Sequence, residues 1–433
     1  MIPQPTIIQI ECIAMPKDNQ VTNVQIFEKK LAAYAEVAVR VGLNLQPGQR
    51  LIIDASIEAA PMVRRITSEA YRAGAELVDV LWNDPSVTLT RFNFAPDDSF
   101  DLVPSWRREA MTRAGERGDA VIYVGSPNPD LLADQDPERV RRHQRAGNEA
   151  MRSFNESRDR QMVNWTIVTV PSDAWAARVF PKLPTEEGKR RLWDEVFKAV
   201  RVDNTNPVAA WDTHIGTLDR ILKHLNSRRY KLLRYRAPGT NLEIGLPQKH
   251  CWMNARFLTQ RGTSYIANLP TEEVFTSPHR NHAEGVVRAS MPLSYGGVLI
   301  ENFGLRFQSG RVVDAWADSG LETLEGILET DEGARHLGEV ALVPNSSPIS
   351  QSGLLFFNTL YDENASSHMA IGRAFSFTLS GWESQKDKAL EKAGINQSLT
   401  HVDFMVGSEE MNIDGVRENG SVEAILHAGE WVS

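Results

Sequence analysis

The chain has 433 residues, 42% hydrophobic and 24% charged, the make-up of an ordinary globular protein long enough for two or three domains. Its 47 basic and 56 acidic residues leave a formal charge of −9, which argues against a nucleic-acid or anionic-membrane partner. Only Cys12 and Cys251 are present, so a disulfide framework and a cysteine-rich zinc motif are excluded and a reduced, cytoplasmic setting fits.

Residues 1–24 carry no clear period and are expected to form an arm or a short edge strand; they lack the basic start and long apolar core of a signal peptide. From Gln25, I-F-E-K-K-L-A-A-Y-A-E-V-A-V-R-V-G repeats apolar residues at helical spacing and stops at Gly42. R-L-I-I-D-A-S-I (50–57) reads as a buried strand, followed by the helix A-P-M-V-R-R-I-T-S-E-A-Y-R-A-G-A. E-L-V-D-V-L-W, D-A-V-I-Y-V-G and W-T-I-V-T-V are strand-like, separated by helical stretches around 105–117 and 138–160. This alternation predicts βαβ units and a mostly parallel sheet.

A helix near 185–201 carries Leu192, Trp193, Val196, Phe197 and Val200 on one face, and another spans 211–226. K-L-L-R-Y-R-A-P-G-T-N-L-E-I-G-L-P then opens shorter strands with frequent turns. The expected organisation is an N-terminal α/β domain (25–226) and a C-terminal α+β domain (227–433) that binds metal. No run of about 18 apolar residues predicts a membrane span.

Phosphate-binding, dinucleotide, H-E-x-x-H and nucleophile-elbow motifs are all absent. The chemistry that remains is carboxylate and imidazole, in the second half. In T-H-V-D-F-M-V-G a strand puts His401 and Asp403 on one face. Glu339 lies in the strand pattern L-G-E-V-A-L-V-P, and Glu273 lies in N-L-P-T-E-E-V-F-T-S-P. In Y-D-E-N-A-S-S-H-M-A-I-G, Asn364 or Ser366 is placed to cap a helix carrying His368, with Glu363 just before it. Carboxylates in apolar runs are costly without a cation. So many anions exceed what one zinc needs and suit two divalent ions with a bridging carboxylate.

These segments, with S-P-I-S-Q-S-G-L-L-F-F-N-T-L-Y-D-E-N-A-S-S-H-M-A-I-G and H-V-D-F-M-V-G-S-E-E-M-N-I-D-G, resemble the aminopeptidase T / aminopeptidase S family of thermophilic-type metallo-aminopeptidases. V-G-L-N-L-Q-P-G-Q and A-Y-R-A-G-A extend the likeness, more loosely, to the N-terminal half. The resemblance implies an N-terminal α/β domain, a C-terminal domain of its own topology, a homodimer and a two-metal centre. Its ligand positions fall on Glu273, Glu339, Glu363, His368, His401 and Asp403, with Glu339 as the candidate bridge. The two divalent ions per chain would be zinc, cobalt or magnesium. Glu272, beside the site, is the candidate general base, and the substrate would be a peptide or a small molecule.

One position departs from the family. Phe375 stands where the family commonly has a tyrosine, and it is expected to contact substrate without a hydroxyl to donate to an oxyanion. A second reading follows from His368, His401 and Asp403: two histidines and a carboxylate also suit a mononuclear iron, as in ring-cleaving dioxygenases of dihydroxypyridine type. A third is a catalytically weak metal-binding relative. His279 and His282 are placed to line a substrate cavity; His214, His250 and His336 are expected to be structural or exposed, and Cys251 inert.

Overall fold

The strands Arg50–Ser56, Leu77–Asn83, Ala120–Gly125 and Trp165–Thr169 run parallel in one sheet, with the first and third in the middle. Their apolar runs are buried at Leu51–Ile53 and Ala120–Ile122, as parallel strands covered by helices require. The computed structural model describes residues 18–382, 385 and 387–432. Residues 1–17, expected as part of an arm, lie outside the described residues. Residues 18–24 already belong to the helix Asp18–Val37, which therefore starts before Gln25.

The helix Ala60–Arg72 begins with Pro61 in its first turn and buries Met62, Val63, Ile66 and Ala70 against the parallel sheet. Thr185–Ala199 and Pro207–Arg228 follow, the second capped by the Asn206 side chain and burying Trp211, Ile215, Leu218 and Leu225. From Leu232 onward the strands are short and antiparallel. Eight of them form a sheet running from Arg311–Trp316 at one edge to Glu430–Trp431 at the other. In it the late strand Asn412–Val416 returns to pair with Leu232–Ala237.

A separate antiparallel sheet has the order His401–Met405, His368–Gly372, Leu337–Leu342, Val274–Thr276. One continuous apolar core includes Ile53 and Trp175 from the first half together with Val340 and Met369 from this small sheet. The segment leading to Glu272 is also stitched to the parallel sheet. The Ile167 N–H donates to Ala267 O at 2.9 Å, and the Leu269 N–H donates to Ile167 O at 3.1 Å.

The structure corrects one local expectation: His368 opens a strand, not a helix. Every residue of His368–Gly372 is buried, so the segment has no polar face for a helix to turn toward water. Backbone pairing on both sides satisfies its amides instead. The flanking serines serve this strand, since Ser367 Oγ donates to Val343 O and accepts from the Val343 N–H, both at 3.1 Å. Among the described residues, no helix is long and apolar enough to cross a membrane.

Candidate metal centre

Register across the small sheet assembles the acidic groups. Glu339 pairs with Ala370, which pairs with Asp403; one step along, Ala341 pairs with His368, which pairs with Met405. Directly opposed residues share a face. Glu339, His368, His401 and Asp403 therefore stand on the same side of three adjacent strands. Ala341 and Ala370 sit between them, and their methyl groups leave the space that the longer side chains converge upon. Glu273 immediately precedes the edge strand Val274–Thr276 and reaches the same face.

The distances are short enough for these groups to share a cation. Ligand atoms of Glu273, Glu339 and His368 lie within 4.8 Å of one another, and so do those of Glu339, His401 and Asp403. His368 Nε2 is 3.2 Å from Glu273 Oε2, and His401 Nε2 is 3.3 Å from both Glu339 Oε2 and Asp403 Oδ1. The other ring nitrogens face main-chain carbonyls: His401 Nδ1 lies 2.6 Å from Arg373 O and His368 Nδ1 lies 3.2 Å from Ser366 O. A proton held at Nδ1 by a carbonyl leaves Nε2 as the lone-pair donor, the arrangement that orients a metal-ligating histidine. Gly372 makes this possible on the His401 side. It pairs with His401 at a φ of +103°, in a contact too close for any side chain.

Electrostatics point the same way. Burial lifts the Glu339 carboxyl to about 7, with the charges of Glu273 and Asp403 adding to the rise. Burial also drives Glu363 well above the carboxylate range, reinforced by Glu273 and Asp403. Burial disfavours charge on His368, yet Glu273, Asp403 and Glu339 hold it up at about 10. Asp403 is likewise opposed by burial but kept below the ordinary aspartate range by His401 and His368. The imidazoles are thus drawn into serving as the cations for surplus buried anions. Asp403 Oδ1 is sealed from water and faces His401 Nε2 at 3.3 Å. A donor set of this composition fits divalent metal ions.

The remaining candidates take different places. Glu363 lies in the turn Glu363–Ala365, outside the tightest grouping, and lines a pocket with Asp403. Glu272 is turned toward Arg201, whose Nη2 is 2.7 Å from Oε1 and 2.8 Å from Oε2. His214 Nε2 is 3.6 Å from the Glu272 carboxylate and 2.8 Å from Thr271 O. Burial raises Glu272 to about 6 against the pull of Arg201. The Glu272 N–H donates to Asn364 Oδ1 at 2.7 Å, tying the Glu273 loop to the Glu363 turn. The Phe375 ring lies 4.9 Å from the His401 ring and stacks on Phe377 at 5.1 Å. His279 and His282 stack on each other at 4.2 Å.

Residues 27–431 match the sequence profile of the thermophilic metalloprotease (M29) family. The chain belongs to this family. Among M29-like relatives it is 45% identical to aminopeptidase AmpS of Bacillus subtilis, over 94% of this chain and 99% of that protein. It is also 45% identical to aminopeptidase T of Thermus thermophilus over the same shares, and 39% identical to aminopeptidase PepS of Streptococcus thermophilus over 94% and 98%. The solved structure of wild-type AmpT from Thermus thermophilus superposes with a TM-score of 0.89 at 45% identity, covering 94% of this chain and 100% of that one. M29 enzymes are metal-dependent aminopeptidases, so divalent metal use belongs to this fold. The ring-cleaving dioxygenase reading falls, because near-full-length likeness leads to aminopeptidases and the centre carries more carboxylates than a lone iron uses.

Sequence reasoning missed Arg201 and gave Asn364 a different role, as a helix cap; the two hold the loop around Glu273. Arg201 is 71 residues from its partner in the chain. No local pattern announces such a contact.

Proposed function

We propose that the protein removes N-terminal residues from peptides, using two divalent ions held by Glu273, Glu339, Glu363, His368, His401 and Asp403. The observation that carries this reading is the overlap of the two donor groups at Glu339: one carboxylate belongs to both, as a bridging ligand does. Glu273 and His368 would hold one ion and His401 and Asp403 the other, with Glu363 beside them on the pocket side. Zinc, cobalt and magnesium all suit these donors. The homodimer and the cytoplasmic setting belong to the same proposal, supported by the family likeness and the cysteine-poor, acidic composition.

Bound divalent ions supply Lewis acidity toward a carbonyl oxygen and acidify a water to near neutrality. The chain's own residues do the rest. The carbonyls of Arg373 and Ser366 fix both imidazoles with Nε2 facing inward. Glu272 is the candidate proton acceptor, but both its oxygens are engaged by Arg201, so we assign it first to holding the Glu273 loop. Phe375 offers an aromatic face beside His401 for the substrate and no proton to an oxyanion. Elemental analysis of the purified protein, followed by assay of aminoacyl anilides with and without chelator, tests the reading. Two metals per chain and chelator-sensitive hydrolysis are expected. A protein that hydrolyses the anilides equally well after complete metal removal refutes it.

A further inference from the structure

An open cleft of about 400 Å³ lies at the amino-terminal ends of the parallel strands, and none of the proposed metal donors lines it. Its volume is within the range of small-ligand sites. Arg50 opens the first strand, while Glu76 and Asp119 immediately precede Leu77–Asn83 and Ala120–Gly125. Glu116 and Arg117 come from the last turn of the helix Ser105–Arg117, and Arg261 reaches in from the hairpin that joins Arg256–Leu258 to Ser264–Ile266. Three guanidinium groups and three carboxylates give the lining no net charge. Two of each are paired: Arg50 Nε is 3.0 Å from Glu76 Oε2, and Arg117 Nε is 3.1 Å from Asp119 Oδ2. Among the described residues, Arg261 has no carboxylate partner and Glu116 has no cationic one. Arg261 is nonetheless held in place. Its Nη2 donates to Arg117 O at 2.7 Å, and its guanidinium lies so close to Gly118 that a Cβ there would meet Cζ at 2.9 Å. The hairpin tip is fixed too, since the Gln260 N–H donates to Gln161 O at 2.7 Å and Gln260 Nε2 donates to Arg160 O at 2.8 Å. The other N–H donors of the Arg261 guanidinium are left for a ligand.

We propose that this cleft binds a small zwitterion of the α-amino-acid class, with its carboxylate on Arg261 and its ammonium on Glu116. A balanced lining exerts no net pull on a singly charged ion, whereas a molecule bearing both charges meets one uncompensated group of each sign. The guanidinium fork takes a carboxylate through two parallel N–H donors. Glu116 and Arg261 make no direct ion pair, so the ligand bridges them. Free amino acids are also what the proposed reaction releases, although the cleft's recognition of them does not rest on that reaction. A bound zwitterion would tie the helix Ser105–Arg117 to the hairpin. From there the chain runs through Ala267 and Leu269, both bonded to Ile167, into Glu272 and Glu273.

The test is titration calorimetry of the full-length, metal-loaded protein with L-alanine, using acetate and ethylamine as singly charged controls. L-Alanine should bind at least about 10-fold more tightly than either control, and Arg261→Gln and Glu116→Gln should each weaken it about 10-fold or more, as loss of one charge-assisted hydrogen bond predicts. Glu116 is exposed, so its substitution should leave the melting temperature of the unliganded protein unchanged. Repeating the titration with folded Glu339→Ala separates the cleft from the metal centre, and L-alanine should still bind there. The proposal is overturned if wild type binds no L-alanine, if acetate binds equally well, if Glu116→Gln keeps wild-type affinity, or if binding disappears in Glu339→Ala. Each of those results leaves the aminopeptidase reading standing. Conversely, L-alanine binding with this pattern in a protein that hydrolyses no anilide would remove that reading and keep the cleft.

Discussion

Replacing Gly372 by alanine should damage both the fold and the metal centre, and the structure sets the size of the effect. An added Cβ would lie 2.2 Å from Thr400 O and 2.9 Å from Thr400 C, both backbone atoms. Relief needs a separation of roughly 1 Å to reach an ordinary C···O contact. That movement pulls apart the pair in which the Arg373 N–H donates to Thr400 O at 2.7 Å and the Gly372 N–H donates to His336 O at 2.8 Å. An L-residue at a φ of +103° adds strain of about 1–3 kcal/mol. A buried amide left unpaired adds about 1–3 kcal/mol. The expected loss is about 2–6 kcal/mol, at or beyond the upper end of ordinary single substitutions. The neighbouring Arg373 carbonyl also shifts, and with it the imidazole it orients, so metal affinity should fall about 10- to 100-fold. Thermal unfolding of the metal-free protein and chelator competition measure the two effects separately. A melting temperature and metal affinity both equal to wild type would refute the reasoning that close strand approach at Gly372 sets His401.

Glu339→Ala and His401→Ala should each abolish anilide hydrolysis and lower metal content by elemental analysis; full turnover in either removes the bridging assignment. Arg201→Met strands the Glu272 carboxylate in the interior, a loss of about 3–5 kcal/mol when a buried pair is broken, and should weaken metal binding through the adjacent Glu273. Glu272→Gln should have the milder form of that defect; full metal content with turnover lost would make Glu272 a proton carrier instead of an anchor. Phe375→Tyr should raise kcat about tenfold or more if its hydroxyl reaches the developing oxyanion, a contact whose removal elsewhere costs about 10²–10³. An unchanged kcat would leave the ring to packing against Phe377 and Phe275.

Where structure follows from local period, the sequence was readable. The alternation of apolar runs with helices predicted the parallel sheet, and the two-residue spacing of His401 and Asp403 predicted their shared face. Glu339 was equally legible, as a carboxylate within a strand-like apolar run. His368 was not, because Ala-Ser-Ser-His-Met-Ala has no decisive intrinsic preference and its strand is imposed by the neighbours Leu337–Leu342 and His401–Met405. Glu272 looked free to take a proton because its partner, Arg201, comes from the turn between the helices Thr185–Ala199 and Pro207–Arg228.

Two side chains from the first half, Arg201 and Trp175, grip the loops that carry Glu273 and Glu363. Cutting the chain between its halves would therefore not yield a miniature enzyme. The isolated second half would keep every proposed donor atom yet lack the struts that bring those atoms to a common point, so a minimal version of this catalyst must retain residues that lie outside the proposed donor set.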